Sequence, residues 1–127
     1  MYKFLMTILV VITPICNGNP IQTESIQWIE KTFEIRKALA EITVYQDIKH
    51  KIKNEVPVTP LQKEMYTAIK VTKTKLNEIV RLSNNAYHLE NLDAAKQLFH
   101  DAEIKLNEAY EKLKIAQLTT SELRARL

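Results

Sequence analysis

Large apolar residues and alanines alternate at heptad spacing near the C-terminal end of the chain. Eight positions take part: Leu92, Ala95, Phe99, Ala102, Leu106, Ala109, Leu113 and Ala116. Steps of three and four residues place all eight on one side of a helix. Alanine at every second position lets a partner helix approach closely. We name these eight residues the alanine seam, and the pattern predicts a helix over residues 92–118.

Two earlier segments also carry apolar residues at helical spacing. Residues 25–54 show two adjacent apolar rows, a pattern typical of a helix that packs against two others. The rows are Ile26, Ile29, Phe33 and Ala40, and Trp28, Ile35, Leu39, Ile42, Tyr45 and Ile52. Residues 60–89 carry a further row of Met65, Ile69, Thr72, Leu76, Ile79, Ser83 and Ala86. The sequence therefore predicts helices over residues 25–54 and 60–89, the second continuing through Asn84 and Asn85.

Proline and capping residues mark the predicted boundaries. Pro57 and Pro60 interrupt any helix before them, and Thr59 with Gln62 forms a capping box that starts the second helix. Thr23 or Ser25 is the expected N-cap of the first helix, and Asn91 that of the third. A second capping box over residues 119–122 predicts a short helix over residues 121–127, unless the third helix continues.

These elements predict an all-α fold, an elongated antiparallel three-helix bundle with helices over about residues 25–54, 60–89 and 92–118. Bulky rows of the first two helices are expected to face the alanine seam: Ile35, Ile42, Ile69, Leu76 and Ile79. The alternative is that the seam serves a homodimer. The tetrapeptide Lys-Leu-Asn-Glu occurs at residues 75–78 and again at 105–108, a match short enough to arise by chance.

Composition agrees with a helical fold. The 127 residues include one glycine and four prolines, and 46% are apolar. The net charge of +3 is spread over scattered residues, whereas a nucleic-acid-binding protein usually has a concentrated basic excess. No nucleic-acid partner is predicted.

The first eighteen residues have the pattern of a secretory signal peptide. Lys3 precedes a nine-residue apolar run over residues 4–12, and Cys16 and Gly18 offer small residues for a cut after residue 18. An uncleaved anchor requires about 20 apolar residues, and a lipoprotein acylated on Cys16 is a further alternative. We therefore expect a secreted, extracellular protein with a flexible lead-in over residues 19–24, one helical domain over residues 25–127 and no disulfide.

The candidate chemistry is sparse. Each histidine has a polar residue three positions before it: Asp47 before His50, Asn85 before His88 and Gln97 before His100. Helical di-iron sites instead require glutamates from four helices. The predicted mature chain lacks cysteine and glycine, so it offers neither a thiol nucleophile nor a glycine-rich phosphate loop. No catalytic residue, metal site or cofactor is predicted, and the protein is not expected to be an enzyme.

Four cations lie close together before the first proline: Lys49, His50, Lys51 and Lys53. We favour the interpretation that they complement the negative end of the helix dipole over an anion-binding site.

The most consistent hypothesis is a non-enzymatic secreted helical protein that binds another extracellular protein through residues not identified by sequence. One alternative is a carrier of lipid or of small apolar ligands, because amphipathic helices can lay their apolar faces on lipid. Another is a self-associating coiled-coil protein.

Overall fold

The computed structural model describes residues 19–126, which form four helices and no strand. They are α1 (Pro20–Ala40), α2 (Val44–Lys53), α3 (Pro60–Tyr87) and α4 (Leu92–Ala125). Helices α3 and α4 form an antiparallel hairpin with the most extensive contact, α1 packs on both, and α2 packs on α3. The all-α prediction is confirmed. The three-helix arrangement is not, because the predicted first helix is divided in two. Within residues 19–126, no helix has the length and apolarity needed to span a membrane.

Helix α1 begins five residues before the predicted start. Asn19 Oδ1 accepts hydrogen bonds from the backbone N–H groups of Ile21 and Gln22, at 2.9 and 3.2 Å. Pro20 suits the first helical position because it has no N–H to satisfy. Ser25, expected as a cap, instead lies inside the helix and donates to the Ile21 carbonyl. Residues 20–24, predicted as a lead-in, are thus helical, while the signal-peptide prediction lies outside the described residues.

The predicted first helix is interrupted at residues 41–43. The Glu41 N–H is shared between the carbonyls of Lys37 and Ala38, and the Ile42 N–H bonds to the Leu39 carbonyl three residues back. Neither proline nor glycine is present, but Ile42, Thr43 and Val44 are three consecutive β-branched residues, each a poorer helix former than straight-chain residues. Together with the burial of Ile42 and Tyr45, this lower propensity favours a bend here, and α2 packs on α3.

Local capping fixes the connection between α2 and α3. The Val56 N–H bonds to the Lys51 carbonyl at 2.8 Å and the Glu55 N–H to the Ile52 carbonyl at 3.2 Å, the Schellman pattern. The left-handed position of this motif is Glu55, with a φ of 59°. The predicted capping box is confirmed: Thr59 Oγ1 accepts from the Gln62 N–H, and Gln62 Oε1 accepts from the Thr59 N–H.

The α3–α4 hairpin follows the prediction except at its ends. Helix α3 continues through Asn84 and Asn85 but ends at Tyr87, two residues early. Asn91 caps α4 as predicted, accepting from the Ala94 N–H at 3.1 Å. Helix α4 does not stop at residue 118 and no separate terminal helix follows within the described chain. The Thr119 and Thr120 hydroxyls donate to carbonyls of the preceding turn instead of capping a new helix.

The alanine seam lies in the core of the described residues. All four of its alanines have 0% exposure, and they share one buried cluster with Ile35, Ile42, Ile69, Leu76 and Ile79. Leu92 departs from the prediction with 49% exposure, because it is the first residue of α4, at the turn of the hairpin. Phe33 is 37% exposed and Ala40 is exposed, so the outer row of the first segment is only partly buried.

The repeated tetrapeptide has a structural role that its length alone did not indicate. Lys75 Nζ lies 2.8 Å from Glu108 Oε2, and Lys105 Nζ lies 3.1 Å from Glu78 Oε2. The first residue of each copy therefore pairs with the last residue of the other. We name this arrangement the reciprocal ion pairs. They lie at matching positions of α3 and α4 and so indicate the register of the hairpin.

Candidate functional site

The bend between α1 and α2 brings six basic and aromatic side chains together on α3. Arg36 lies near the end of α1, Tyr45 and Lys49 lie one turn apart on α2, and α3 contributes Tyr66, Lys70 and Lys73 at helical spacing. The contacts and electrostatic interactions described below link these side chains. We name them the basic–aromatic surface.

Two stacked tyrosines lie under this surface: Tyr45 is buried in the core, and Tyr66 is half-buried. The Tyr45 and Tyr66 rings are 5.5 Å apart between centroids and 13° from parallel. Lys73 Nζ lies 4.3 Å from the Tyr45 ring centroid, and Lys70 Nζ lies 5.8 Å from that of Tyr66. Cations within about 6 Å of an aromatic face are attracted by the ring quadrupole. Each lysine is thus held beside a ring, with its aliphatic stem on the helix surface.

The charges around Lys73 repel one another. Burial lowers the pKa of Lys73, and the positive charges of Lys49 and Arg36 lower this pKa further. Burial also lowers the pKa of Arg36, whose Nη2 donates to Asn77 Oδ1 at 2.9 Å. The Tyr45 pKa is raised, first by burial and then by Tyr66. Lys49 and Arg36 therefore lie close enough to add to the effect of burial on the charge of Lys73, an effect that a nearby anion would oppose.

The sequence places its basic excess in the same part of the chain. Residues 36–75 contain nine lysines and arginines but four aspartates and glutamates, whereas residues 76–127 contain seven and eight. The small net charge of +3 is therefore unevenly distributed, with the positive excess concentrated in the end of α1, in α2 and in the first part of α3. Uneven charge of this kind attracts oppositely charged partners over distances set by ionic strength.

The four cations clustered in the sequence lie in two different environments in the structure. His50, Lys51 and Lys53 lie in the last turn of α2, where cations complement the helix dipole as predicted. His50 Nε2 also lies 3.0 Å from Asn54 Nδ2. Lys49 instead acts on Lys73 and belongs to the basic–aromatic surface. One run of cations therefore has two environments.

The three histidines stay apart in the structure. His50 is at the end of α2, His88 packs edge-on against Tyr87 with centroids 5.1 Å apart, and His100 is exposed on α4. Among residues 19–126, no three His, Cys, Asp or Glu side chains are close enough to hold a metal ion. The expectation of no metal site and no cofactor stays a prediction.

Sequence reasoning missed most of the basic–aromatic surface. It assigned the tyrosines to the rim of a bundle and did not single out Arg36, Lys70 or Lys73. The available signal was local: Tyr45 with Lys49, and Tyr66 with Lys70, both at i, i+4 spacing, which brings side chains together on a helix. Joining those pairs required the bend at residues 41–43.

Comparison with known protein families, curated proteins and solved structures gives no match to this chain. Its function is therefore inferred from the site.

Proposed function

We propose that this chain is a secreted, non-enzymatic helical protein whose basic–aromatic surface binds an acidic extracellular protein. The observation that carries the proposal is the placement of Arg36 and Lys49 near Lys73, which itself lies against the stacked pair of Tyr45 and Tyr66. Tyrosine and arginine are enriched at the energetic centres of protein interfaces, and the half-buried Tyr66 and Arg36 keep area that a partner could contact, whereas Tyr45 supports the surface from the core. Acidic side chains from a partner would offset the repulsion among the three cations.

Secretion is supported by the sequence of residues 1–18 and by the position of the first cap. A cut after residue 18 leaves Asn19 as the first residue, so the side chain that caps α1 is kept. N-terminal sequencing of protein collected from the medium of secreting cells should give Asn-Pro-Ile-Gln. Full-length chain retained in the cell would contradict secretion without bearing on the binding surface.

The binding proposal is tested by selecting partners from extracellular fluid on immobilised wild-type protein and on a Lys49→Gln/Lys73→Gln variant. We expect an acidic protein retained by the wild type to be lost from this variant, with affinity falling steeply as salt increases. A Lys96→Gln/Lys114→Gln variant removes the same charge from exposed positions of α4 and should retain the partner.

The controls decide what a loss of binding means. Circular dichroism must show equal helicity in the wild type and both variants. Equal retention by the wild type and both variants, or binding insensitive to salt, would contradict a role for the basic–aromatic surface. A monomer that retains no partner under any condition would contradict protein binding itself.

Self-association through the alanine seam remains a competing proposal. All four alanines are buried within the described chain, which favours an intramolecular role for the seam. Sedimentation at two concentrations distinguishes the two, because a homodimer would show a larger mass at the higher concentration.

A further inference from the structure

A cleft of about 420 Å³ lies between α3 and α4, beyond the reciprocal ion pairs and separate from the basic–aromatic surface. Its volume is within the range of small-molecule sites, about 300–1,000 Å³, and its shape is an open groove more than an enclosed cavity. Ala68 and Val71 of α3 and Ile115 of α4 supply its apolar side chains. Ala68 is buried, whereas Val71 and Ile115 are half-buried. Their remaining apolar area faces water, so covering it with an alkyl chain is favourable.

The register of the hairpin leaves one lysine of this cleft without a carboxylate. The reciprocal ion pairs join Lys105 to Glu78. One heptad further along, Lys112 of α4 comes opposite Val71 of α3, and both line the cleft. Valine stands where the heptad spacing would place a second glutamate. Within residues 19–126, Lys112 forms no ion pair.

The other charged groups at the cleft set the charge of a matching ligand. Lys63 and Glu64 also line it, so the three charged side chains leave a net charge of +1. A single carboxylate balances that charge, and an ammonium–carboxylate hydrogen bond is among the stronger polar contacts.

We propose that the α3–α4 cleft binds a free single-chain fatty acid. The carboxylate pairs with Lys112, in the place of the absent glutamate, and the alkyl chain covers Ala68, Val71 and Ile115. This site goes beyond the proposed protein-binding function and does not depend on it.

The probe is sodium dodecanoate, titrated into the purified protein below its micelle concentration and followed by calorimetry. Lys112→Met should weaken binding by about tenfold or more, because the ligand charge loses its partner. Val71→Glu supplies the missing carboxylate from the protein and should weaken binding at least as much, while the hairpin keeps or gains thermal stability. Dodecanol, which lacks the charge, should bind about tenfold more weakly than dodecanoate.

Matched controls are available on the same helices. Lys114→Met makes the same change as Lys112→Met, and Thr74→Glu introduces a glutamate on α3 as Val71→Glu does. Both lie at exposed positions and should leave dodecanoate binding unchanged. Trp28 of α1, with its Nε1 bonded to Glu24 at 3.2 Å, should keep its emission wavelength on binding because the helices stay packed.

Three results would overturn the proposal: no dodecanoate binding, binding unaffected by Lys112→Met, or a Trp28 shift showing that the helices open onto the ligand. Lys112→Met decides the matter even if Val71→Glu fails to fold. Since the protein partner is tested on another surface, failure of either proposal leaves the other standing.

Discussion

Glu55 and Ser83 each occupy a position where another residue type is expected to give a more stable fold. Glu55 has a φ of 59° at the end of α2, a region where side chains with a Cβ are strained by about 1–2 kcal/mol. Ser83 is fully buried on α3, and its hydroxyl has no hydrogen-bond partner within the described residues. Thr72, equally buried, donates to the Ala68 carbonyl at 2.7 Å. Substitution of Glu55 or Ser83 is therefore expected to keep or raise the free energy of unfolding, whereas substitution of Thr72 is expected to lower it.

Glu55→Gly should raise the free energy of unfolding by up to about 1 kcal/mol. Glycine relieves the left-handed strain, although it also increases the entropy of the unfolded chain. Chemical denaturation measures the change. Glu103→Gly, inside α4, is the control and should lower stability by about 1 kcal/mol. A loss of stability in Glu55→Gly would contradict this prediction. It would show that the glutamate side chain stabilises the fold by more than the left-handed backbone strain destabilises it.

Ser83→Ala should leave the unfolding free energy unchanged or raise it by about 1 kcal/mol, because an unpaired buried hydroxyl is removed. Thr72→Val is the matched comparison and should lower it by about 0.5–1.5 kcal/mol, since that hydroxyl is bonded. Thermal and chemical unfolding report both values. A Ser83→Ala variant less stable than Thr72→Val would contradict the assignment of Ser83 as unpaired.

Between helices, side-chain size and register determine how α3 and α4 pair. The four alanines of the alanine seam have 0% exposure and allow close approach of larger side chains from α1 and α3. The reciprocal ion pairs lie on the same hairpin, with side chains 20–39% exposed. Exposed ion pairs contribute little energy, about 0–1 kcal/mol each. The hairpin is thus held mainly by packing along the alanine seam.

Ala109→Leu should lower the free energy of unfolding by about 1–3 kcal/mol through overpacking. The exposed Ala94 near the start of α4 provides the control, and Ala94→Leu should change stability little. Melting temperatures by circular dichroism compare the two. An unchanged Ala109→Leu melting temperature would mean that the seam is open to solvent, and the homodimer proposal would then be favoured.

Apolar periodicity and capping residues were enough to predict α3 and most of α4. Both signals depend only on residues that are close together in the sequence. Thr59 with Gln62 and Asn91 are caps of this kind. The bend at residues 41–43 was missed because no proline or glycine marks it. Three β-branched residues lower helix propensity only slightly, and packing of Ile42 and Tyr45 decides the outcome. The basic–aromatic surface was missed for the same reason, since it exists only after the bend.

At the scale of the whole molecule, the placement of positive charges lowers the stability of the folded protein. Four of the nine basic residues in 36–75 belong to one surface, namely Arg36, Lys49, Lys70 and Lys73. Burial lowers the pKa of Lys73, and the nearby charges of Lys49 and Arg36 lower it further. Residues that serve binding are often unfavourable for folding. The basic–aromatic surface fits this relation, because its cations repel one another in the absence of a partner.

Lys73→Met should therefore increase the stability of the free protein at neutral pH and low salt. With its folded pKa below the ordinary value of 10.5, Lys73 destabilises the folded state while protonated. Because the folded state releases this proton first, wild-type stability should rise as pH increases through the folded pKa toward 10.5. The difference between variant and wild type should shrink over that range and also at high salt, where repulsion is screened.

Denaturant titrations at pH 7 and pH 10, each at low and high salt, measure this effect. Lys114→Met serves as the control because Lys114 is exposed on α4. A Lys73→Met variant that is less stable than wild type at low salt would show that the Tyr45 contact outweighs the repulsion.

The reciprocal ion pairs have a consequence for molecular recognition. Lys-Leu-Asn-Glu is complementary to an antiparallel copy of itself, so the charges of α3 would match a second α3 as well as they match α4. Electrostatics therefore cannot tell the correct neighbour from an identical helix of another molecule. That discrimination depends on shape, because alanine occupies every second position of the seam on α4, whereas most positions of the α3 row hold larger side chains. Enlarging the alanines would therefore have two effects. It would destabilise the hairpin, and it would remove the difference in shape that favours pairing of α3 with its own α4 over pairing with α3 of another molecule.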